Sequence, residues 1–245
     1  MKRSEHLDEL LAKWPFDANL LNVRLVKGRD GRDVIQMRID MGVLQMETAG
    51  RPDGERFKEF PTVLEYLQDR RLENPEYELD EDEAGEVDRE FMQFYHRRIS
   101  WLRLAYYHRA VMDADHTLEL MDLTTELSPD PEWSQTHEQY RPFVLFHRTQ
   151  ADALGHLEEN TPENAVSAIN TGLETMRRFF IKHDAEEHFD GDELVVRLIE
   201  LRESLRKEYG VGRTLKERLA EAVANEQYEE AAQLRDELSR RDVDQ

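Results

Sequence analysis

The N-terminal part of the chain shows an alternation of apolar and polar residues with a period of two. Leu21, Val23 and Leu25 share one face of a predicted strand, and apolar residues resume at odd positions from 35 to 41 after the turn-rich KGRDGRD segment. Alternation on both sides of a glycine-containing turn is typical of a β-hairpin. We therefore predict an antiparallel hairpin that follows a short amphipathic helix over residues 5–13.

The alternation changes phase at Gly42–Val43, after which Leu44 and Met46 occupy even positions. One extra residue moves every later side chain to the other face of a strand, so a bulge or bend is predicted at this point. Two or three strands cannot bury one face alone, and the apolar positions of residues 61–71 predict a covering helix. Residues 1–72 are thus expected to form a small α+β unit with a β-hairpin or a three-stranded sheet.

Residues 73–90 are strongly acidic, and the four residues at positions 80–83 are all acids. Like charge and low hydrophobicity favour a solvated segment, so we interpret this stretch as a linker. The alternative is a calcium-binding loop. This interpretation is less favoured because the run lacks the alternating carboxylates and central glycine of an EF-hand loop.

Residues 91–209 show the three-four spacing of amphipathic helices almost throughout. The most regular apolar stripe runs from Ala165 to Phe180, and Thr161 followed by Pro162 is a typical helix start. This segment predicts a central helical domain, which makes the fold class mostly α.

The segment AVSAINTGLE (165–174) resembles the second helix of a tetratricopeptide repeat, with Ala165, Ile169 and Gly172 on its small–large–small pattern. The preceding QADALGHL segment would be the first helix of the pair. The proline that usually closes the repeat is missing. Two interpretations stay open, a helical bundle packed by ordinary stripes and a domain similar to tetratricopeptide repeats.

The C-terminal segment carries two apolar helical stripes separated by residues 225–227. If the chain reverses there, one antiparallel register places three pairs opposite each other: Leu215–Leu238, Leu219–Leu234 and Ala222–Ala231. This pattern predicts an antiparallel helical hairpin. Gly210 and Gly212 precede it and favour a flexible joint.

Residues 213–241 resemble the UVR motif, a helical hairpin shared by the B and C subunits of the bacterial excision-repair nuclease and by regulators of the Clp protease system. The resemblance rests on the unusual order aromatic–Glu–x–Ala–Ala–x–Leu–Arg–Asp, which begins at Tyr228 where phenylalanine is commoner. The matching positions are Leu219, Ala222, Tyr228, Glu229, Ala231, Ala232, Leu234, Arg235, Asp236 and Leu238.

The UVR resemblance implies that this hairpin binds another protein, often through a second UVR hairpin. The partner-binding residues that it implies are Leu219, Tyr228, Glu229, Ala232, Leu234, Arg235, Asp236 and Leu238. Two roles stay open for Arg235 and Asp236, which are polar contacts at the rim or an internal salt bridge. The N-terminal unit resembles no family that we recognise.

Composition narrows the partners further. The net charge is −21 and there is no cysteine, which disfavours direct nucleic-acid binding and excludes disulfides and thiolate zinc sites. The basic pairs at 70–71, 97–98 and 177–178 are interpreted as exposed helix faces rather than phosphate-binding stripes. No apolar run approaches the roughly 18 residues of a membrane span, and acids interrupt the N-terminal segment, so a cytoplasmic protein without a secretory signal is expected.

One cluster has the chemistry of a metal site, since imidazoles and carboxylates lie close together in the sequence. Its members are His183, Asp184, Glu186, Glu187, His188, Asp190, Asp192 and Glu193. An acidic loop at a helix end explains them more simply, so we predict no metal and no cofactor.

We therefore predict a non-enzymatic cytoplasmic adaptor that binds a protein partner and neither nucleic acid nor membrane. Two alternatives are an accessory factor of nucleotide-excision repair and a regulator of a Clp-type protease complex. A third is an enzyme with a site in the N-terminal unit around Arg38, Asp40, Glu47 and Arg51.

Overall fold

The computed structural model describes residues 6–243, except for the side chains of residues 216, 239 and 241–243. The fold is mostly helical with one small three-stranded antiparallel sheet near the N-terminus, so the predicted fold class is confirmed. The strands are β1 (Asn22–Lys27), β2 (Asp33–Ile39) and β3 (Gly42–Glu47). The helices are α1 (Asp8–Lys13), α2 (Val63–Glu73), α3 (Glu81–Arg103), α4 (Tyr107–Leu127), α5 (Pro131–Glu138), α6 (Arg141–Glu158), α7 (Pro162–Lys182), α8 (Glu193–Tyr209), α9 (Leu215–Ala224) and α10 (Tyr228–Val243), with a 3-10 helix at Glu186–Gly191.

The chain forms two compact units, Met1–Asp152 and Ala153–Gln245, and the division falls within α6. The first unit holds the sheet, helices α1 to α5 and most of α6. The second holds the end of α6, helices α7 to α10 and the 3-10 helix. Residues 153–209, nearly half of the predicted helical domain 91–209, belong to the same unit as the C-terminal hairpin.

The described residues up to position 72 share buried apolar clusters with later helices. Val63 and Leu67 of α2 lie in one buried cluster with Val87 of α3 and Leu120 of α4. The boundaries that we predicted after residues 72 and 90 thus separate segments that share buried apolar surface.

The phase change in the strand pattern has a simple origin in the register of the sheet. Between β1 and β2, odd positions pair with odd positions, as Val23 does with Met37. Between β2 and β3, Ile39 pairs with Gly42 across a two-residue turn, so Met37 pairs with Leu44 and odd positions oppose even ones. The predicted bulge is wrong, because the chain reverses direction there and the apolar side chains stay on one face.

Arg38 lies on the other face of β2 and is nevertheless buried. Its Nε atom donates to the carbonyl oxygen of Trp14 at 3.1 Å, and Nη1 donates to the carbonyl oxygens of Asp40 and Gly42 at 3.0 Å each. Because two of these hydrogen bonds join the guanidinium to the backbone of the β2–β3 turn, Arg38 stabilises that turn.

The acidic segment 73–90 is not a linker throughout, because its last ten residues form the start of α3. Asp80 is the N-cap of that helix, and its carboxylate accepts from the backbone N–H of Glu83 at 2.8 Å in a capping box. Acids in the first turn of a helix are stabilised by its macrodipole. A dense run of acids therefore marks a helix start here rather than a solvated connection.

Glu83 shows why this acidic helix packs instead of staying in solvent. Its side chain is almost fully buried, and its carboxylate accepts from Lys58 at 2.7 Å, Tyr66 at 2.8 Å and Tyr77 at 2.6 Å. Burial alone would raise the pKa of Glu83. Together these hydrogen bonds lower the pKa by more than burial raises it, so the pKa lies below its usual value. The charged form is thus the one that the surrounding residues stabilise.

Glu90 is fully buried two turns further along the same face of α3. Its carboxylate accepts from the backbone N–H groups of Val63 at 2.8 Å and Leu64 at 3.2 Å, the first two residues of α2. His116 Nε2 lies 2.9 Å from the same carboxylate. An acid of α3 therefore satisfies the free N-terminal amides of another helix, as an anion at a helix N-terminus does.

The basic pair Arg97–Arg98 is also buried, so its interpretation as an exposed helix face is wrong. Arg97 makes two hydrogen bonds to the Asp113 carboxylate, at 2.9 Å from Nε and 2.7 Å from Nη2. Its Nη1 donates to the carbonyl oxygen of Gly50 at 2.7 Å, which links α3 and α4 to the loop after β3. The pairs 70–71 and 177–178 are partly or fully exposed and bind acids, as expected for helix faces.

In the second unit, α7 and α8 pack against each other and against the 3-10 helix. Ile169, Met176 and Leu198 are fully buried, and the Phe180 and Phe189 rings meet edge to face with centroids 5.6 Å apart. The stripe predicted for α7 is therefore its buried face. The resemblance of this region to a tetratricopeptide repeat stays a prediction.

Within residues 6–243, no helix combines the length and the apolar character that crossing a membrane requires.

Candidate partner-binding hairpin

The C-terminal hairpin begins with strong local signals. Helix α8 ends where Gly210 adopts a φ of +65°, in the left-handed region that favours glycine. Thr214 then caps α9, since its hydroxyl accepts from the N–H of Glu217 at 3.3 Å while the Glu217 carboxylate accepts from the N–H of Thr214 at 2.7 Å. This reciprocal capping box fixes the first turn of the hairpin.

The two helices are joined by a tight turn. The N–H of Gln227 donates to the carbonyl oxygen of Ala222 at 2.8 Å, and the N–H of Glu226 donates to that of Val223 at 3.1 Å. These are the two hydrogen bonds of a Schellman motif, which places the residue after the C-cap in the left-handed region. Glu226 occupies that position with a φ of +58°, although glycine is the residue that usually does so.

The seam between α9 and α10 follows the predicted register. Ala222, Ala231 and Leu234 are buried together, and Leu215 and Leu219 pack against them. Small residues lie near the turn and leucines farther away, as the sequence pattern indicates. Leu238, the remaining member of the predicted pairs, is partly buried.

The residues implied as partner-binding thus separate into two groups. Leu234 is only 3% exposed and Leu219 packs beside it, so both stabilise the hairpin itself. Tyr228, in contrast, is 68% exposed at the first position of α10. Glu229 is also exposed, whereas Ala232 is partly buried.

Arg235 and Asp236 lie on the surface of α10. Their side chains are 70% and 65% exposed, and Arg235 Nη2 lies 3.5 Å from an Asp236 carboxylate oxygen. Both roles, polar contacts at the rim and an internal salt bridge, stay open with this arrangement. An exposed pair of this kind contributes little to stability.

Val223 belongs to the apolar stripe of the first hairpin helix in the sequence, but it is not among the partner-binding residues that the UVR resemblance implies. It is 53% exposed near the end of α9, just before the turn, and Tyr228 lies just after the turn. The tip of the hairpin therefore carries two exposed apolar side chains. A signal was present, because Val223 precedes the turn yet lies outside the register of paired seam residues.

One side of the hairpin is acidic. A shallow groove beside α10 is lined by Glu226, Glu230, Gln233 and Glu237, which follow one another at three- to four-residue spacing. Arg218 of α9 borders the groove, with Nη2 4.0 Å from a Glu230 carboxylate oxygen. A partner helix with basic side chains would be electrostatically complementary to this groove.

An ion pair between described residues connects the hairpin to α8. Arg206 forms an ion pair with Glu217, and the N–H of Val211 donates to the Arg206 carbonyl oxygen at 3.1 Å. Burial alone would raise the pKa of Glu217. The hydrogen bonds from Arg206 and Thr214 and the charge of Arg206 together lower the pKa by more, so it lies below its usual value. The Arg206–Glu217 pair therefore orients the start of α9 at neutral pH.

The residues of the metal hypothesis have other roles in the structure. Asp192 caps α8, Glu193 forms an ion pair with Arg197, and the His183 ring packs on Phe179 with centroids 4.3 Å apart. The other acids and His188 lie in or beside the 3-10 helix, where Glu186 and Asp190 pair with Arg177. Across the described part of the chain, no three His, Asp or Glu side chains are arranged to hold one metal ion.

The residues of the enzyme alternative do not converge on one site. Arg38 holds the β2–β3 turn, and Glu47 forms an ion pair with Arg32 at 2.8 Å. Arg51 pairs with Asp53 at 2.9 Å and with Glu86 of α3 at 2.8 Å. Asp40 is exposed in the turn.

Comparison with known proteins supports one part of the sequence interpretation. Residues 213–240 match the UVR family, described as the UvrB/uvrC motif. No curated protein and no solved structure matches the chain. The C-terminal hairpin is thus a UVR motif, and the match covers this segment alone.

Proposed function

We propose that this chain is a non-enzymatic adaptor whose UVR hairpin binds a second UVR hairpin on a partner protein. The observation that carries the proposal is the exposure of Tyr228. It occupies the aromatic position of the motif, yet 68% of it faces solvent while the seam is already closed by Ala222, Ala231 and Leu234. Aromatic side chains of this kind are the usual anchors of protein interfaces.

The size of the hairpin favours the same function. Its two helices have ten and sixteen residues, and its buried seam contains few side chains. Helices this short are marginal in water without further packing. A second helical surface that covers Val223 and Tyr228 would add apolar burial at the tip.

Charge makes association feasible in this segment. The whole chain has a net charge of −21, but residues 213–240 contain five basic and seven acidic residues, which nearly balance. Long-range repulsion of an acidic partner is therefore weaker here than elsewhere on the chain. The acidic groove beside α10 favours a partner helix that presents lysine or arginine.

The UVR match leaves two partner systems open. Proteins with this motif include subunits of the excision-repair nuclease and regulators of the Clp protease system. The chain would be an accessory repair factor in the first case and a protease regulator in the second, in the cytoplasm in both. Its charge argues that it would reach DNA only through a partner.

Affinity capture with the full-length chain tests the proposal. We expect a UVR-containing protein to be captured by the wild type and lost with Tyr228→Ala. Tyr209→Ala is the matched control, since Tyr209 is 49% exposed at the end of α8 and lies outside the motif. Capture that survives Tyr228→Ala and Leu234→Asp alike would show that the hairpin is not the binding site. The captured protein itself distinguishes repair from proteolysis.

A further inference from the structure

The first unit contains a cavity that neither the hairpin nor the sequence motifs explain. It has a volume of about 740 Å³ and is formed by α3, α4, α5, α6 and the α5–α6 connection. Its walls are mostly apolar, with Phe91, Tyr95, Met121, Phe143 and Val144 among them. A mainly apolar cavity of this size with a few polar groups is typical of small-molecule sites.

The polar group at one end of the cavity is the Arg98 guanidinium. Arg98 is only 2% exposed, and its surroundings lower its pKa chiefly through burial, to about 10, so it is charged at neutral pH. Its Nη1 donates to the Thr117 hydroxyl at 3.0 Å, and its Nε lies 3.4 Å from His147 Nδ1. The pKa of Arg98 is also raised, to a smaller extent, by the Asp113 carboxylate of α4.

The neighbouring arginine on α3 provides the contrast. Arg97 is buried to a similar extent, but both oxygens of Asp113 neutralise it at 2.9 and 2.7 Å. The two hydrogen-bond partners of Arg98 are neutral, because burial and the charge of Arg98 lower the pKa of His147 to about 3 and keep that imidazole uncharged. The Asp113 carboxylate that binds Arg97 also acts on Arg98 electrostatically and raises its pKa. A buried charge is normally paired. The Arg98 guanidinium is therefore a buried positive charge with neutral hydrogen-bond partners, and an anion in the cavity would stabilise it.

The shape of the cavity limits what that anion can be. Asp88, Phe91, Tyr95 and Arg98 follow one another along one face of α3 and all line the cavity. Asp88 and Arg98 are ten residues apart, which corresponds to about 15 Å along the helix axis. An elongated apolar body fits between these ends, with its charged group at Arg98.

The opposite end of the cavity does not compete for the anion. The Asp88 side chain is half exposed, and its carboxylate is held by His137 Nε2 at 2.8 Å and by the Trp133 indole N–H at 3.2 Å. The His137 ring in turn stacks on Phe91 with centroids 4.3 Å apart. This carboxylate at the rim leaves Arg98 as the cation that lines the cavity at depth.

We propose that this cavity binds a medium-chain monocarboxylate, with its carboxylate on the Arg98 guanidinium and its apolar chain among Phe91, Tyr95 and Phe143. The Thr117 hydroxyl donates to the Asp113 carbonyl oxygen at 2.8 Å, so its orientation is fixed beside the guanidinium. The site lies wholly in the first unit and does not depend on the function of the UVR hairpin.

Calorimetric titration of the full-length chain at pH 7 tests the site with three probes of equal chain length. These are decanoate, 1-decanol and decyltrimethylammonium, which are anionic, neutral and cationic. The charged hydrogen bond between Arg98 and the carboxylate should stabilise bound decanoate but not bound decanol. We therefore expect decanoate to bind one site roughly ten- to a hundredfold more tightly than decanol. We expect the cation not to bind. Equal affinity for decanoate and decanol, or no decanoate binding at millimolar concentration, would overturn the proposal.

Two variants locate the site. Arg98→Met should remove the preference for decanoate, while Arg103→Met, on the exposed end of the same helix, should keep it. Arg98→Met is expected to fold because it removes a buried charge whose two hydrogen-bond partners are neutral, and far-ultraviolet circular dichroism checks this. Val144→Phe places a larger side chain in the cavity wall, so it should weaken the binding of both decanoate and decanol. If Arg103→Met changes binding as much as Arg98→Met does, the carboxylate is not at Arg98.

Discussion

The substitution Leu234→Asp tests whether the UVR hairpin is held by its leucine and alanine seam. Leu234 is 3% exposed and lies against Leu219, Ala222 and Ala231. Replacing it with aspartate removes the largest fully buried side chain of the seam and puts a carboxylate in its place. The described side chains around it in the seam are leucines and alanines, which offer a carboxylate no hydrogen bond.

The magnitude follows from the size of the seam. Truncation of a buried leucine to alanine alone costs about 2–5 kcal/mol, and an unpaired buried carboxylate adds to that cost. A folded segment of this length, at about 0.05–0.15 kcal/mol per residue, has a stability of only about 1–4 kcal/mol. The free-energy cost of the substitution therefore exceeds the stability of the hairpin, and we expect α9 and α10 to unfold locally.

Hydrogen exchange followed by mass spectrometry measures this directly. In Leu234→Asp, amides of residues 215–243 should lose protection, while those of the first unit keep wild-type exchange rates. The control is Gln233→Asp, which adds the same charge at an exposed position of α10 and should leave protection unchanged. Wild-type protection in Leu234→Asp, or equal loss in both variants, would refute the seam. Loss of protection throughout the chain would show that the hairpin belongs to a larger core.

Three further predictions concern other parts of the chain. Glu226→Gly should stabilise the hairpin by about 1 kcal/mol, since glycine adopts a positive φ without strain; faster exchange of α10 amides in this variant would contradict it. The lowered pKa of His147 predicts that the unfolded state binds an extra proton below pH 6.5, so stability falls as pH falls, by about 2 kcal/mol between pH 6.5 and 5. Urea unfolding should show this loss in wild type and less of it in His147→Gln, and parallel profiles would contradict it. Fluorescence anisotropy should detect no micromolar binding of duplex DNA at 0.15 M salt, about physiological ionic strength.

Features that depend on short-range periodicity were predictable from the sequence. The seam of the hairpin is an example, because the pairs Leu219–Leu234 and Ala222–Ala231 follow from helical spacing and one turn. The apolar face of the sheet is another, since Val23 and Met37 alternate correctly with their neighbours. In both cases the residues that pack together belong to the same or adjacent elements.

The phase change at Gly42 shows where periodicity alone is ambiguous. A bulge and a two-residue turn both shift apolar residues from odd to even positions. They differ only in whether the chain continues or reverses, and the Asp40–Met41 turn contains no glycine that would have marked it. Arg38 resolves the ambiguity in the structure, because it binds the carbonyl oxygens of the reversing backbone.

The prediction of a linker over the acidic residues 73–90 was wrong for a different reason. Composition counts charges, whereas burial depends on the partners that distant residues supply. The Glu83 carboxylate accepts hydrogen bonds from Lys58, Tyr66 and Tyr77, which lie six to twenty-five positions away in the sequence. Glu90 receives the amides of another helix, which no side-chain pattern reveals.

Arg97 and Arg98 extend this argument to function. The two residues are adjacent, identical in type and similarly buried, so no property of the local sequence separates them. Their difference arises on α4, where Asp113 reaches Arg97 and the neutral Thr117, one helical turn later, reaches Arg98. A structural arginine and a ligand-binding arginine thus differ by which α4 side chain faces each guanidinium. Because that choice leaves one charge paired and the other beside an apolar cavity, only the tertiary structure identifies Arg98 as the residue with unused binding capacity.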